Sequence, residues 1–266
     1  MRKPIFHALA FLLLTAPIYL SSAFLPVGHP LVWVAILLFV TWLFLKREGR
    51  TLAVLGLNPA WRRLAELIAG IALGTLLILL VALCVRLFLP FKWSWNAAFR
   101  WDAAAFSLLY FLSGNAVEEL LFRGYSFERL IAGLGLWKAQ VATALLFAVF
   151  HMVNGWPWQI ALTGTTVGSL LFGMVFIRWR SVPAAIGVHA AANWTRDFLL
   201  TDPPGLQTLY APLSTRPWTT GERVSAVLFM DAICLLATFA IWYSGLRGKS
   251  PAPSPKTQLT TVSPSP

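Results

Sequence analysis

Eight runs of apolar residues succeed one another along the chain, separated by short polar links. They extend from about Pro4 to Phe24, Leu31 to Leu45, Leu64 to Leu89, Ala103 to Phe122, Trp137 to Val153, Gln159 to Ile177, Val182 to Leu200 and Ser225 to Leu246. At 1.5 Å rise per residue, a helix made from such a run matches the roughly 30 Å hydrocarbon core of a bilayer. Lipid offers the backbone no hydrogen-bond partners, so a run of this length has to satisfy its own as a helix. Composition agrees: 58% of the 266 residues are hydrophobic and 12% are charged, about half the charge of a soluble domain. The expected fold class is therefore all-α, a polytopic membrane helical bundle of about eight transmembrane helices. Residues 1–246 would form one transmembrane domain. Residues 247–266, rich in Ser, Pro and Thr, would be a disordered cytoplasmic tail, having little apolar surface to bury.

The formal charge is +11. Fifteen of the 21 Lys and Arg fall on alternate links counted from the N-terminus, a distribution that the positive-inside rule turns into two cytoplasmic termini. That explains the basic balance without nucleic acid, which is not an expected partner. The setting is an integral, multi-pass protein of a bacterial-type plasma membrane. Met1-Arg2-Lys3 and the small residues Ser21-Ser22-Ala23 frame the first run like a signal peptide, but its length and Pro17 favour a retained span. Cys84 and Cys234 lie inside apolar runs and read as packing residues. Trp93, Trp95 and Trp101 suit a headgroup belt. Residues 124–136 read as a link broken by Gly133 and Gly135. Gly164, Gly168 and Ser169 read as small residues that let helices approach.

Against this background the polar residues inside the runs stand out. An ionisable side chain at the bilayer centre costs a few kcal/mol or more, so it faces the bundle interior and marks function. Asn115, Glu118 and Glu119 fall on one broad helix face. Glu119 and Arg123 stand at i and i+4, in the favourable order for an ion pair. Glu118 has Phe122 at that spacing and no basic partner. His151 closes the fifth run, one turn after Phe147, which reads as a wall. His189 and Asn193, at i and i+4 around three alanines, point into one space. Simple counting sets Glu118 near the cytoplasmic end of its span and His151 near the opposite face.

Two chemistries suit two Glu, two His and an Asn in a dry pocket. A carboxylate can take a proton from water while His and Asn donors stabilise the oxyanion formed on an attacked carbonyl. Alternatively Glu118, His151 and His189 could ligate zinc, although no His-Glu-x-x-His is present. No Ser or Cys nucleophile is marked by a flanking motif.

Glu118-Glu119-x-x-x-Arg123, Phe147-x-x-x-His151 and His189-x-x-x-Asn193, in that order within apolar helices, resemble the CPBP family (CAAX proteases and bacteriocin-processing enzymes, the Abi group). The resemblance covers about residues 103–200, the expected catalytic core. It implies an intramembrane endopeptidase with an eight-helix core and a site inside the bilayer that opens to the cytoplasmic side. The substrate would be a membrane-associated protein or peptide. By the same resemblance Glu118 is the general base, His151 helps position water, and His189 with Asn193 forms the oxyanion site. Glu119 and Arg123 support the site, and the helices of His151 and His189 bring both rings to the depth of the glutamates. No cofactor is favoured on this reading, with zinc as the alternative. A non-catalytic membrane scaffold or immunity protein and a proton-coupled transporter are the competing functional classes.

Overall fold

A computed structural model describes residues 2–24, 30–89, 92–200, 209–213 and 219–247. The tail expected beyond Arg247 and most of the link after Leu200 lie outside the described residues. The elements, in order, are α1 (Arg2–Phe24), α2 (Leu31–Arg47), a 3₁₀ turn (Leu52–Leu55), α3 (Trp61–Phe88), β1 (Lys92–Trp95), α4 (Trp101–Phe122), α5 (Tyr125–Leu134) and α6 (Leu136–Val153). There follow α7 (Trp158–Ile160), a π-helical turn (Ala161–Thr165), α8 (Thr166–Trp179), α9 (Val182–Leu200), β2 (Tyr210–Leu213) and α10 (Thr220–Arg247). The segment from α7 through the π turn to α8 is one apolar rod of 22 residues. Among the described residues this makes eight long helical rods, as the apolar runs require. Five of them are long and apolar enough to cross a membrane on length and composition alone. Of the other three, α2 is short at 17 residues, and polar residues lower the hydropathy of α4 and α9. Leu79, Leu83, Leu228 and Leu236 are exposed on α3 and α10, the surface a polytopic membrane protein presents to lipid.

Among the described residues the two larger of three packed clusters organise the bundle. Phe11, Leu45, Phe122, Phe127 and Phe147 join α1, α2, α4, α5 and α6. Leu77, Phe172, Val175, Val188 and Cys234 join α3, α8, α9 and α10. Cys234 packs there as a free thiol. The tightest crossing is not at Gly164 or Gly168, where an added Cβ would meet nothing closer than ordinary contact. It lies between α3 and α9. A Cβ on Gly70 or Gly74 would run into the Ala184 or Val188 carbonyl oxygen, and one on Gly187 into the Leu67 carbonyl oxygen. Gly70-x-x-x-Gly74 puts both glycines on one helix face, so the backbones can touch. This crossing commits one face of α9 to α3 and leaves His189 and Asn193 facing α4.

Two links turn out to be structured. The Trp-rich link holds β1, which pairs antiparallel with β2 in the register Lys92 to Leu213 and Trp95 to Tyr210. Residues 124–136 are not a loop: ten of them form α5, and Tyr125, Phe127, Leu130 and Glu128 are buried. Gly133 sits inside α5 because a Cβ there would strike Ile5. The break falls at Gly135, whose φ of 79° is costly for any residue with a Cβ.

α5 also removes the mismatch in depth between Glu118 and His151. Ile5, Phe11 and Tyr19 of α1 lie against Gly133, Tyr125 and Phe122 in turn. α5 therefore prolongs the path of α4 along α1 by about 15 Å, and α6 has to climb back by that much. His151, late in α6, returns to the level of Glu118. Tyr19 registers both, with its ring 5.6 Å from the Phe150 ring and its hydroxyl bonded to Glu118.

Candidate active site

α4 supplies the carboxylates. Glu119 and Arg123 are fully buried and paired at 3.1 Å, at the i, i+4 spacing read from the sequence. The Arg123 guanidinium also donates to the Ser169 hydroxyl at 2.6 Å and to its carbonyl at 3.2 Å, and it lies 4.6 Å from the Phe147 ring. Ser169 is thus more than a packing residue. It ties α8 to α4 through the arginine. A buried charge needs a partner and further hydrogen bonds to be tolerated, and Arg123 finds them on α4 and α8, with the Phe147 ring of α6 packed on its guanidinium.

Glu119 has a second partner. His189 Nδ1 lies 2.8 Å from Glu119 Oε1. A carboxylate can only accept, so Nδ1 carries the proton and Nε2 is directed elsewhere. Nε2 lies 3.7 Å from Glu118 Oε2. The ring is stacked on Phe172 with centroids 4.1 Å apart, which fixes its plane. His151 is fixed in the same way from another direction. Its Nδ1 donates to the Phe147 carbonyl at 2.9 Å, which leaves Nε2 free, and Phe147 and Trp156 pack on the ring at 4.4 and 5.2 Å. Asn193 donates from Nδ2 to Asn115 Oδ1 at 3.0 Å. One amide hydrogen is held by that bond and the other is free to serve a ligand.

Glu118, His151, His189 and Asn193 all line one cavity of about 530 Å³, together with Tyr19, Asn154 and Phe147. Its opposite wall is apolar, drawn from α3 and α10, with Leu77, Val81, Val227 and Met230 among its residues. The volume suits a few residues of extended peptide. Glu118 Oε1 accepts from the Tyr19 hydroxyl at 3.2 Å, whereas Oε2 is buried and has no hydrogen-bond partner. The zinc alternative needs Glu118, His151 and His189 to close on one point. Among the described residues no three His, Cys, Asp or Glu side chains form such a group.

The structure brings all four sequence-derived cavity residues together and sets Glu119, Arg123 and Phe147 behind or beside them. Sequence reasoning passed over Tyr19 and Asn154, read Ser169 as packing alone, and placed Asn115 on the right face without a partner.

A helical bundle with membrane-length apolar rods and a carboxylate–imidazole–amide cavity among them defines a class, a polytopic membrane protein with a polar site between its helices. Residues 100–195 match the family model described as type II CAAX prenyl endopeptidase Rce1-like. The matched segment is little more than a third of the chain, contains every motif residue from Glu118 to Asn193, and agrees with the CPBP/CAAX protease resemblance read from the sequence. The family's setting is a lipid bilayer and a membrane-associated peptide substrate. No curated protein and no solved structure matches the chain.

Proposed function

We propose that the protein hydrolyses a peptide bond of a membrane-associated protein or peptide, with Glu118 as the general base. The observation that carries this reading is the asymmetry of the Glu118 carboxylate. One oxygen is held by Tyr19, and the other is buried without a hydrogen-bond partner beside the His189 ring, in a residue that lines the cavity. A desolvated acceptor of this kind is costly to leave unmade, and a water molecule is the natural occupant. Glu118 Oε2 takes one proton of that water, and the free Nε2 of His151 accepts the other hydrogen and orients it. The oxygen lone pair then attacks the substrate carbonyl. The oxyanion is met by the free amide hydrogen of Asn193 and by His189 Nε2. A proton on that nitrogen makes the ring a cation, so Glu118, Glu119, Arg123 and His189 together carry no net charge. Collapse of the tetrahedral intermediate breaks the C–N bond, and the proton held by Glu118 passes to the leaving amine.

On this reading the enzyme is a glutamic rather than a metal-dependent protease, and its working core is about residues 103–200. Both termini face the cytoplasm, following the basic residues of alternate links. The test is a cleavage assay on purified protein in detergent or liposomes, run with and without a strong chelator. The expected result is full activity after metal removal and none in Glu118→Gln at unchanged thermal stability. Loss of activity on chelation, restored by zinc, would overturn the glutamic reading. An unaffected Glu118→Gln variant would overturn the base assignment. Proton-coupled flux without cleavage would favour a transporter.

A further inference from the structure

We propose that Tyr19 is a positioning residue for Glu118, so that the catalytic unit reaches beyond residues 100–195 to the first helix of the chain. This rests on Glu118 acting as the base. Tyr19 is buried. Its ring is held edge-on by Phe122 of α4 at 6.2 Å and against Phe150 of α6 at 5.6 Å. From that position its hydroxyl donates to Glu118 Oε1 at 3.2 Å, and Asn154, at the end of α6, donates from Nδ2 to the same hydroxyl at 3.3 Å.

The directions of these two bonds are fixed by valence. A phenol has one proton to give, and a carboxylate can only accept. The Tyr19 proton therefore goes to Glu118, and the Tyr19 oxygen must receive from Asn154, so the amide nitrogen faces it. The result is a relay from Asn154 to Tyr19 to Glu118 that joins α6, α1 and α4.

The choice of a phenol matters. The terminal torsion of a glutamate is soft, so an untethered Glu118 carboxylate would rotate between the cavity and the His189 ring. An arginine would tether it, as Arg123 tethers Glu119, but it would add a second cation to that of the His189 ring, already 3.7 Å from Oε2, and weaken the base further. The neutral hydroxyl holds one oxygen, adds no charge, and leaves Oε2 uncommitted. Asn154 performs the same service for the phenol, since an oxygen already receiving a hydrogen bond is a stronger donor in a chain.

The test is Tyr19→Phe, which keeps the ring between Phe122 and Phe150 and removes only the hydroxyl. The readouts are kcat, KM and the thermal midpoint, with Glu118→Gln measured alongside. The expected result is a kcat lower by about 10- to 100-fold, the usual cost of one hydrogen bond to a charged group, at unchanged KM and unchanged midpoint. Tyr125→Phe serves as the control. It removes another phenol–carboxylate bond, to Glu48 at 2.5 Å, outside the cavity, and should lower the midpoint and leave kcat alone. A Tyr19→Phe enzyme with wild-type kcat, or one whose loss falls in KM or follows its midpoint, would overturn the proposal. If Glu118→Gln remains active, it is the proposed function that fails, and the two failures are told apart by that variant.

Discussion

Among the described residues two pairs of glutamates, each with one buried and one half-buried member, are treated in opposite ways. Glu48 and Glu128 lie where α1, α2 and α5 meet. Glu48 Oε1 accepts from His7 at 2.8 Å and from Tyr125 at 2.5 Å, and its Oε2 faces Arg129 at 3.1 Å. Arg50 grips both oxygens of Glu128 at 2.7 Å, and Arg129 adds two more bonds. Every oxygen of that pair is occupied. In the Glu118–Glu119 pair one oxygen of each carboxylate is engaged and the other, buried, has no partner. A saturated pair holds helices together. An unsaturated pair keeps capacity for a molecule that the protein does not itself supply. The charge effects follow the same division. Burial works against the ionised forms of Glu48 and Glu128, but the hydrogen bonds from Tyr125, His7, Arg50 and Arg129 outweigh it and hold both carboxyls below their ordinary range.

The contrast can be broken at either end. Glu118→Gln replaces the unsaturated carboxylate by an amide of the same shape. It should cost at least about 10³-fold in kcat, read as initial cleavage rates, with little change in thermal midpoint. Arg123→Met leaves Glu119 as an uncompensated buried charge and should cost about 3–5 kcal/mol of stability, read by denaturation in detergent. A small effect there would mean that His189 alone neutralises Glu119. Asn193→Ala removes one oxyanion donor and should lower kcat by about 10²-fold at nearly constant KM. Glu128→Gln acts on the saturated pair and should cost about 1–3 kcal/mol, while activity per folded molecule stays at the wild-type level. If catalysis suffers more than stability, the division between the two pairs is wrong.

The weakest effect should come from acid. The native carboxyls of Glu48 and Glu128 sit below the reference value of 4.5. Their contribution to stability is therefore complete above pH 4.5 and is lost as pH falls from there through the lowered native values. Hydrogen exchange should show the α1–α2–α5 junction loosening in that window.

Much of this was legible in the sequence, for identifiable reasons. Apolar runs report helices directly when the solvent is lipid, and all eight appear with their ends displaced by a few residues. Glu118, His151, His189 and Asn193 were conspicuous because an ionisable or amide group inside such a run has few explanations. α5 was missed because Gly133 and Gly135 outweighed a helical pattern that was present in Phe127, Leu130, Ile131 and Leu134. Gly70-x-x-x-Gly74 was equally available and was not read. Tyr19 had no local signal. A single tyrosine in an apolar run is unremarkable until its partner, 99 positions away, is beside it. The depth of His151 depended on α5, so missing that helix put the ring at the wrong face.

The π turn at Ala161–Thr165 has a consequence for how this gene can change length. A π turn carries about one residue more than a regular helix, so the two halves of the rod Trp158–Trp179 are out of phase by roughly 100°. Loss of a single codon there would let the rod close into an unbroken α-helix. Ser169 would keep its grip on Arg123, while Ile160, part of the cavity wall, would swing out of it. Such a deletion should impair turnover far more than the thermal midpoint. Most one-residue deletions in a transmembrane helix would be expected to do the reverse.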